Sequence, residues 1–193
     1  MPRTKQFDEN EVLQKAMELF WEKGFHATSI QDLVSHLGIN RASLYDTFGG
    51  KEALFDQAFS LYRMTNAESI EQLLAKSVSI KEGFRKLFDL AIQETVSDKA
   101  RKGCFVVNTT TELVPGDETL YRTLLANKNR FEHIFAVYLQ KGIDSGELKS
   151  SLNANDLASF MYTFYSGLRV VTKLENNAES LRMIVETGLR ALD

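Results

Sequence analysis

The chain predicts an all-α protein with a helix-turn-helix unit close to its N-terminus. Three observations carry this. Its 193 residues include only two prolines, Pro2 and Pro115, so almost the whole backbone is free to be helical. Apolar residues recur at i, i+3, i+4 and i+7 in one segment after another. The run Phe105–Thr111 (FVVNTTT) has strand propensity, yet no other segment offers it a partner, and an isolated strand is unstable in water. It is therefore read as helix.

The elements follow in order. Asp8 with Glu11 reads as a capping box and Phe7 with Val12 as the hydrophobic staple around it. Val12, Ala16, Leu19 and Phe20 continue at helical spacing until Gly24 stops the helix. Thr28 with Gln31 reads as a second capping box, Ile30, Leu33, Val34 and Leu37 form the apolar face, and Gly38 ends it. Asn40 is a strong N-cap, so a third helix starts at once and carries Leu44 and Phe48 inward. Longer helices are predicted near residues 51–75, 80–96, 103–114, 118–145, 155–174 and 178–191, with PGDE (Pro115–Glu118) and DSGEL (Asp144–Leu148) as the clearest breaks. The expected domains are residues 1–50 and 51–193.

Composition narrows the function. The longest apolar runs, such as IFAVYL (Ile134–Leu139), fall far short of the roughly 20 residues that span a bilayer, so no membrane partner is expected. The polar start MPRTKQFDENE lacks a signal-peptide core, and a single cysteine cannot form an internal disulfide. A reducing cytoplasm is the expected compartment. The histidines His26, His36 and His133 share no ligand spacing, and no nucleophile–base pair or phosphate loop is visible, so no metal, cofactor or catalytic residue is expected. Net charge is −3, and Met1–Glu52 holds six cations (Arg3, Lys5, Lys15, Lys23, Arg41, Lys51) against eight acids. Composition alone thus speaks against nucleic-acid binding, unless the cations share one face.

The joint Leu37-Gly38-Ile39-Asn40 is what makes such a face conceivable. Glycine allows a left-handed turn, Ile39 plugs the core, and Asn40 restarts the chain. With Leu44 and Phe48 inward, Arg41, Ala42, Ser43, Tyr45 and Thr47 point outward on a helix of the size that enters a major groove. Helix N-termini at Thr28 and Lys51 can add backbone N–H groups toward phosphates. A helical hairpin packed inside an ordinary bundle satisfies the same spacings.

The pattern A..LF.EKGF..TSI.DL....GI.RASLY..F..KEALF, from Ala16 to Phe55, resembles the N-terminal domain of the tetracycline-repressor (TetR) family of bacterial transcription regulators. That resemblance implies a two-fold homodimer whose recognition helices, about residues 40–47, read the half-sites of a palindromic operator in double-stranded DNA. It places Thr28 and Tyr45 on phosphates, Arg41 and Ser43 at base edges, Ala42 against a thymine methyl and Lys51 on the backbone. Asp46 and Thr47 depart from the family, which often has an aromatic or basic residue at the first position and His or Tyr at the second.

The same resemblance implies that the rest of the chain is a ligand-binding and dimerisation bundle answering to an unknown small-molecule effector. Candidate ligand residues are the aromatics Tyr62, Phe88, Phe131 and Tyr165, the polar Asn108, Thr111 and Glu112, and Cys104, which lies beside Arg101 and Lys102. Aromatics at helical spacing also serve as plain core, and a lone cysteine as a small buried apolar group. The helix over Asp156–Val171 is apolar nearly all round and must be covered on two sides. Phe160, Phe164, Gly167, Leu168 and Val171, with Leu181, Ile184, Val185, Gly188 and Leu192 on the last helix, are the expected dimer face. The functional expectation is a ligand-released repressor; a helical carrier or a protein-interaction module that no longer reads DNA is the alternative.

Overall fold

In the computed structural model, which describes residues 7–98 and 100–193, all regular structure among those residues is helical. The expected cations Arg3 and Lys5 lie outside them. The chain divides into two compact units, Met1–Thr65 and Asn66–Asp193.

The first unit holds α1 (Glu9–Lys23), α2 (Ile30–Leu37), α3 (Arg41–Phe48) and the first part of α4 (Lys51–Ala75). Asp8 Oδ1 accepts the backbone N–H groups of Asn10 and Glu11 at 2.8 and 3.3 Å, while the Glu11 carboxylate pairs with Lys15 at 2.6 Å. The second cap differs from expectation by one residue. Ser29 Oγ accepts the Asp32 N–H at 3.0 Å and Asp32 returns the bond to the Ser29 N–H at 2.9 Å, so the capping box is Ser29–Asp32. Thr28 is wholly buried, and its hydroxyl donates to the Gly24 carbonyl at 2.6 Å.

Gly38 adopts φ +68°, ψ 24°, and its N–H donates to the Val34 carbonyl at 3.2 Å. Ile39 is buried, and Asn40 Oδ1 accepts the Ser43 N–H at 2.8 Å, so two residues separate α2 from the cap of α3. Leu33 and Leu44 are fully buried, each worth about 1.5–3 kcal/mol of transfer free energy. Phe55 stands edge-on to Phe20 at 5.2 Å and stacks with Phe59 at 5.6 Å, and Leu54, Ala58 and Tyr62 are buried too. This packing is why the first part of α4 falls in the first unit, so that the division lies within α4 and not at residue 50.

The second unit holds the rest of α4, then α5 (Ile80–Ser97), α6 (Phe105–Leu113), α7 (Glu118–Asp144), α8 (Ala154–Val171) and α9 (Ala178–Gly188). The β-branched run does form α6. Its threonines satisfy themselves locally, Thr110 donating to the Val106 carbonyl at 2.8 Å and Thr111 to that of Val107 at 3.2 Å. The core gathers Phe84, Phe88, Phe135 and Leu139, all fully buried. Arg169 of α8 is also buried; its guanidinium donates to Glu94 Oε2 of α5 at 2.6 Å and to the Gly103 carbonyl, just before α6, at 3.0 Å.

The expected dimer face needs correction. Leu168, Leu181, Val185 and Leu192 lie in the unit's own core, because α8 packs on α7 and α5, and α9 packs on α5. Gly188 is filled from within the chain, since a Cβ there would sit 2.5 Å from the Phe164 ring. Phe160, Gly167, Val171 and Ile184 are exposed, and Val170, Leu174 and Met183 are exposed with them.

The joint yields the first expected outcome. A Cβ on Gly38 would meet nothing within 4 Å, so the cost of substitution is conformational only. Gly38→Ala is expected to destabilise the first unit by about 1–2 kcal/mol and Gly38→Asn by less, read as shifts in the unfolding midpoint. Equal stability of the alanine variant and the wild type would show that the turn has an unstrained alternative.

Candidate nucleic-acid interface and internal cavity

Within the first unit α3 presents Arg41, Ala42, Tyr45 and Asp46 as exposed residues, with Ser43 and Thr47 half-buried and Leu44 and Phe48 buried. Of the outward set expected from spacing, Arg41, Ala42 and Tyr45 are exposed, Ser43 and Thr47 are only half-exposed, and Asp46 joins the exposed row. Thr28 departs further. With its hydroxyl spent on Gly24 and its side chain in the core, only the backbone around Ser29 and Ile30 can face an anion at the start of α2.

Electrostatics sorts Lys15, Lys23, Arg41 and Lys51, the described cations of this acidic segment, into two groups. Lys15 is neutralised by Glu11 and Lys23 by Asp32 at 2.9 Å. The Ser29 hydroxyl and then Lys23 hold the Asp32 carboxyl well below the usual carboxylate range. Arg41 and Lys51 rest instead on aromatic rings, Arg41 Cζ 5.7 Å from the Tyr45 centroid and Lys51 Nζ 4.2 Å from that of Phe25. Positive charge is thus concentrated at the starts of α3 and α4, although the segment as a whole is acidic. Asp46 is exposed beside Tyr45 and makes no ion pair with any described residue.

Tyr45 is 44% exposed and seated between the Arg41 guanidinium and the backbone of Gly50, where a Cβ would stand 3.2 Å from the ring. Gly50 has φ +115°. This seat was not foreseen from the sequence. Gln57 adds a tie, its side-chain amide donating to the Phe48 carbonyl at 3.3 Å and so joining the end of α3 to α4.

The second unit has a small cavity, about 20 Å³ of accessible space, lined by Asn66, Cys104, Val106, Val107, Asn127, Phe131, Tyr162, Tyr165 and Ser166. Of the residues expected at a ligand, Cys104, Phe131 and Tyr165 line it. The others do not. Tyr62 is in the first unit, edge-on to Trp21 at 5.0 Å, and Phe88 is core, packed on Phe164 at 5.1 Å. Asn108 spends its amide on the Lys102 carbonyl and the Lys173 ammonium, Thr111 is exposed on α6, and Glu112 is half-buried off the cavity wall. Burial raises the pKa of both Tyr162 and Tyr165, so each phenol stays protonated. No group of His, Cys, Asp and Glu among the described residues is arranged to hold a metal, and no helix there is long and apolar enough to cross a membrane.

A short outward helix set by a helix-turn-helix, with a second helical unit around a cavity, defines a two-unit helix-turn-helix regulator. The model for "Bacterial regulatory proteins, tetR family" matches residues 12–58, and that for "Tetracyclin repressor-like, C-terminal domain" matches residues 81–187. The chain belongs to the TetR family. It is 33% identical to the HTH-type transcriptional regulator YezE of Bacillus subtilis (strain 168), over 100% of both chains. It is 30% identical to the HTH-type transcriptional repressor ComR of Escherichia coli (strain K12), over 97% of this chain and 90% of that one. Among solved structures, a cysteine mutant of the TetR family regulator CifR in complex with 26bp double-strand operator DNA superposes with a TM-score of 0.88 at 30% identity, covering 99% of this chain and 100% of that one.

The seat of Tyr45 is testable by itself. Gly50→Ala is expected to lower the unfolding midpoint and to move the Tyr45 ring resonances in NMR spectra. Unchanged Tyr45 resonances in a folded Gly50→Ala protein would show that the ring does not depend on the glycine.

Proposed function

We propose that the protein is a transcriptional repressor that reads a palindromic operator as a homodimer and lets go when a small-molecule effector enters the cavity of the second unit. The observation that carries this is the strip Arg41–Tyr45–Lys51, a positive, ring-supported edge on an otherwise acidic unit, lying along an outward helix of small and donor side chains. The repressor ComR and the operator-bound CifR structure support it as relatives.

In this reading Arg41 and Ser43 meet base edges, Ala42 meets a thymine methyl, and Tyr45, Thr47 and Lys51 hold phosphates. Asp46 accepts from a cytosine amino group or repels phosphate, and so sharpens selection at the price of affinity. The exposed stripe Phe160, Gly167, Val171 and Leu174 of α8, with Met183 and Ile184 of α9, is covered by a second copy. Because α4 contributes residues to both units, an effector that shifts its C-terminal part shifts the platform of α3 as well. The coupling is reciprocal, so operator must weaken effector by the same factor. Such a regulator works in the cytoplasm and needs no cofactor.

Selection from a random pool of duplex DNA at moderate salt is the deciding experiment. The expected result is an enriched palindrome whose half-sites lie about one helical turn, or a multiple, apart. Arg41→Ala should relax discrimination at one base position per half-site, whereas Lys51→Ala should weaken all sequences alike and lower the salt slope by about one. A folded, dimeric protein that enriches no sequence would overturn the reading.

A second expected outcome concerns assembly. Ile184→Asp and Phe160→Asp should give monomers by light scattering and abolish palindrome binding, because a charge buried in an apolar contact finds no partner. Dimers that survive both substitutions would place the interface elsewhere.

A further inference from the structure

We infer that the groove between the end of α4 and the C-terminal half of α7 binds a slim aliphatic carboxylate, its chain along the apolar walls and its head on Lys141. The groove lies within the second unit and shares no lining residue with the cavity beside Cys104. The inference goes beyond the repressor reading and does not depend on it.

The walls set the shape of the ligand. Leu74 and Ala75 of α4, with Ile134, Val137 and Tyr138 of α7, line about 260 Å³ of accessible space. The α7 wall runs from His133 to Lys141, about 12 Å of helix. Small-molecule sites begin near roughly 300 Å³, so a space this size and this long suits a chain better than a fused ring system. Ala75 and Val137 are exposed, and a chain laid against them removes apolar surface from water.

The floor is already in place. The Tyr138 hydroxyl donates to the Ser79 carbonyl at 2.9 Å, and a Cβ on Gly83 would collide with that hydroxyl. The ring is therefore pinned, and little ordering is left for a ligand to impose on this wall.

Charge sets the head group. The ionisable side chains of the lining, besides the Tyr138 phenol, are Glu71, His133 and Lys141. Glu71 already faces the Arg130 guanidinium at 3.6 Å. Lys141, at the far end of the α7 wall, is exposed and makes no ion pair with any described residue. An anionic head gains that ammonium, whereas a cationic head would have to compete with Arg130 for Glu71.

The test is calorimetric titration of the full-length protein with octanoate, octylammonium and octanol, each dilute enough to stay monomeric. Octanoate is expected to bind tighter than octylammonium, and the difference should shrink as salt is raised. Lys141→Met keeps the stem and removes the charge. It should weaken octanoate about three- to fivefold and leave octanol unchanged. Val137→Trp fills the groove from an exposed position and should abolish binding of both, with an unchanged unfolding midpoint as the check on folding. In NMR spectra the methyl resonances of Leu74, Ile134 and Val137 should move on adding octanoate, and those of Val106 and Val107 beside Cys104 should not. Several results would overturn the inference: no binding by the wild type, octylammonium as tight as octanoate, undiminished octanoate affinity in Lys141→Met, binding that survives Val137→Trp, or shifts confined to Val106 and Val107.

Discussion

The left-handed turn at Gly38 is the constraint on which the outward helix α3 depends. Its backbone conformation lets α2 end and α3 begin two residues later, and Ile39 is buried in the space between. A longer linker would let α3 pivot, because only Leu44 and Phe48 hold its inner side. The short joint therefore does what extra packing would otherwise have to do. From it follow the outward row of Arg41, Ala42 and Tyr45 and, at the far end, the support of Tyr45 on Gly50 and of Phe48 on Gln57.

The second unit is organised by a different device. A buried arginine is costly unless each face of its guanidinium finds a partner. Arg169 ties three stretches together, α8 through its own backbone, α5 through Glu94, and the entry to α6 through the Gly103 carbonyl. Cys104, Val106 and Val107, one wall of the cavity, follow directly on that anchored carbonyl. Lys173 reinforces the same seam through Asn108. Asn108, which seemed suited to a ligand, is thus spent on holding α6 in place, and the polar side chains that line the cavity lie on α4 (Asn66), α7 (Asn127) and α8 (Tyr162, Tyr165, Ser166).

Much of this was legible in the sequence, and the failures have physical reasons. Helix positions followed from apolar spacing and caps, and the β-branched run was rightly read as helix because no strand could pair with it. The cap of α2 was misplaced by one residue because Thr28 and Ser29 are both good caps on composition; burial, which decides between them, is a tertiary property. The double cover demanded by α8 was legible, but not which side belongs to the chain itself, so Leu168 was assigned outward together with Val171. Asn127 was the missed signal that could have been found. A lone amide on the stripe Leu120–Leu124–Phe131–Phe135 breaks a helical period, and such a break marks a buried polar group wherever it occurs.

Net charge misleads here for a reason that extends beyond this chain. Coulombic attraction between exposed groups is short-ranged at physiological salt, where the Debye length is about 8 Å. What an anion feels at the surface of α3 is therefore set by the few charges within that distance, not by the total. Glu11 and Asp32 spend their charge on Lys15 and Lys23, whereas Arg41 and Lys51 lie against aromatic rings, which do not neutralise them. An aromatic seat fixes a cation without cancelling its field, whereas a carboxylate seat would do both. The choice of Tyr45 and Phe25 as the supports of Arg41 and Lys51 is thus the feature that lets an acidic segment carry a positive edge.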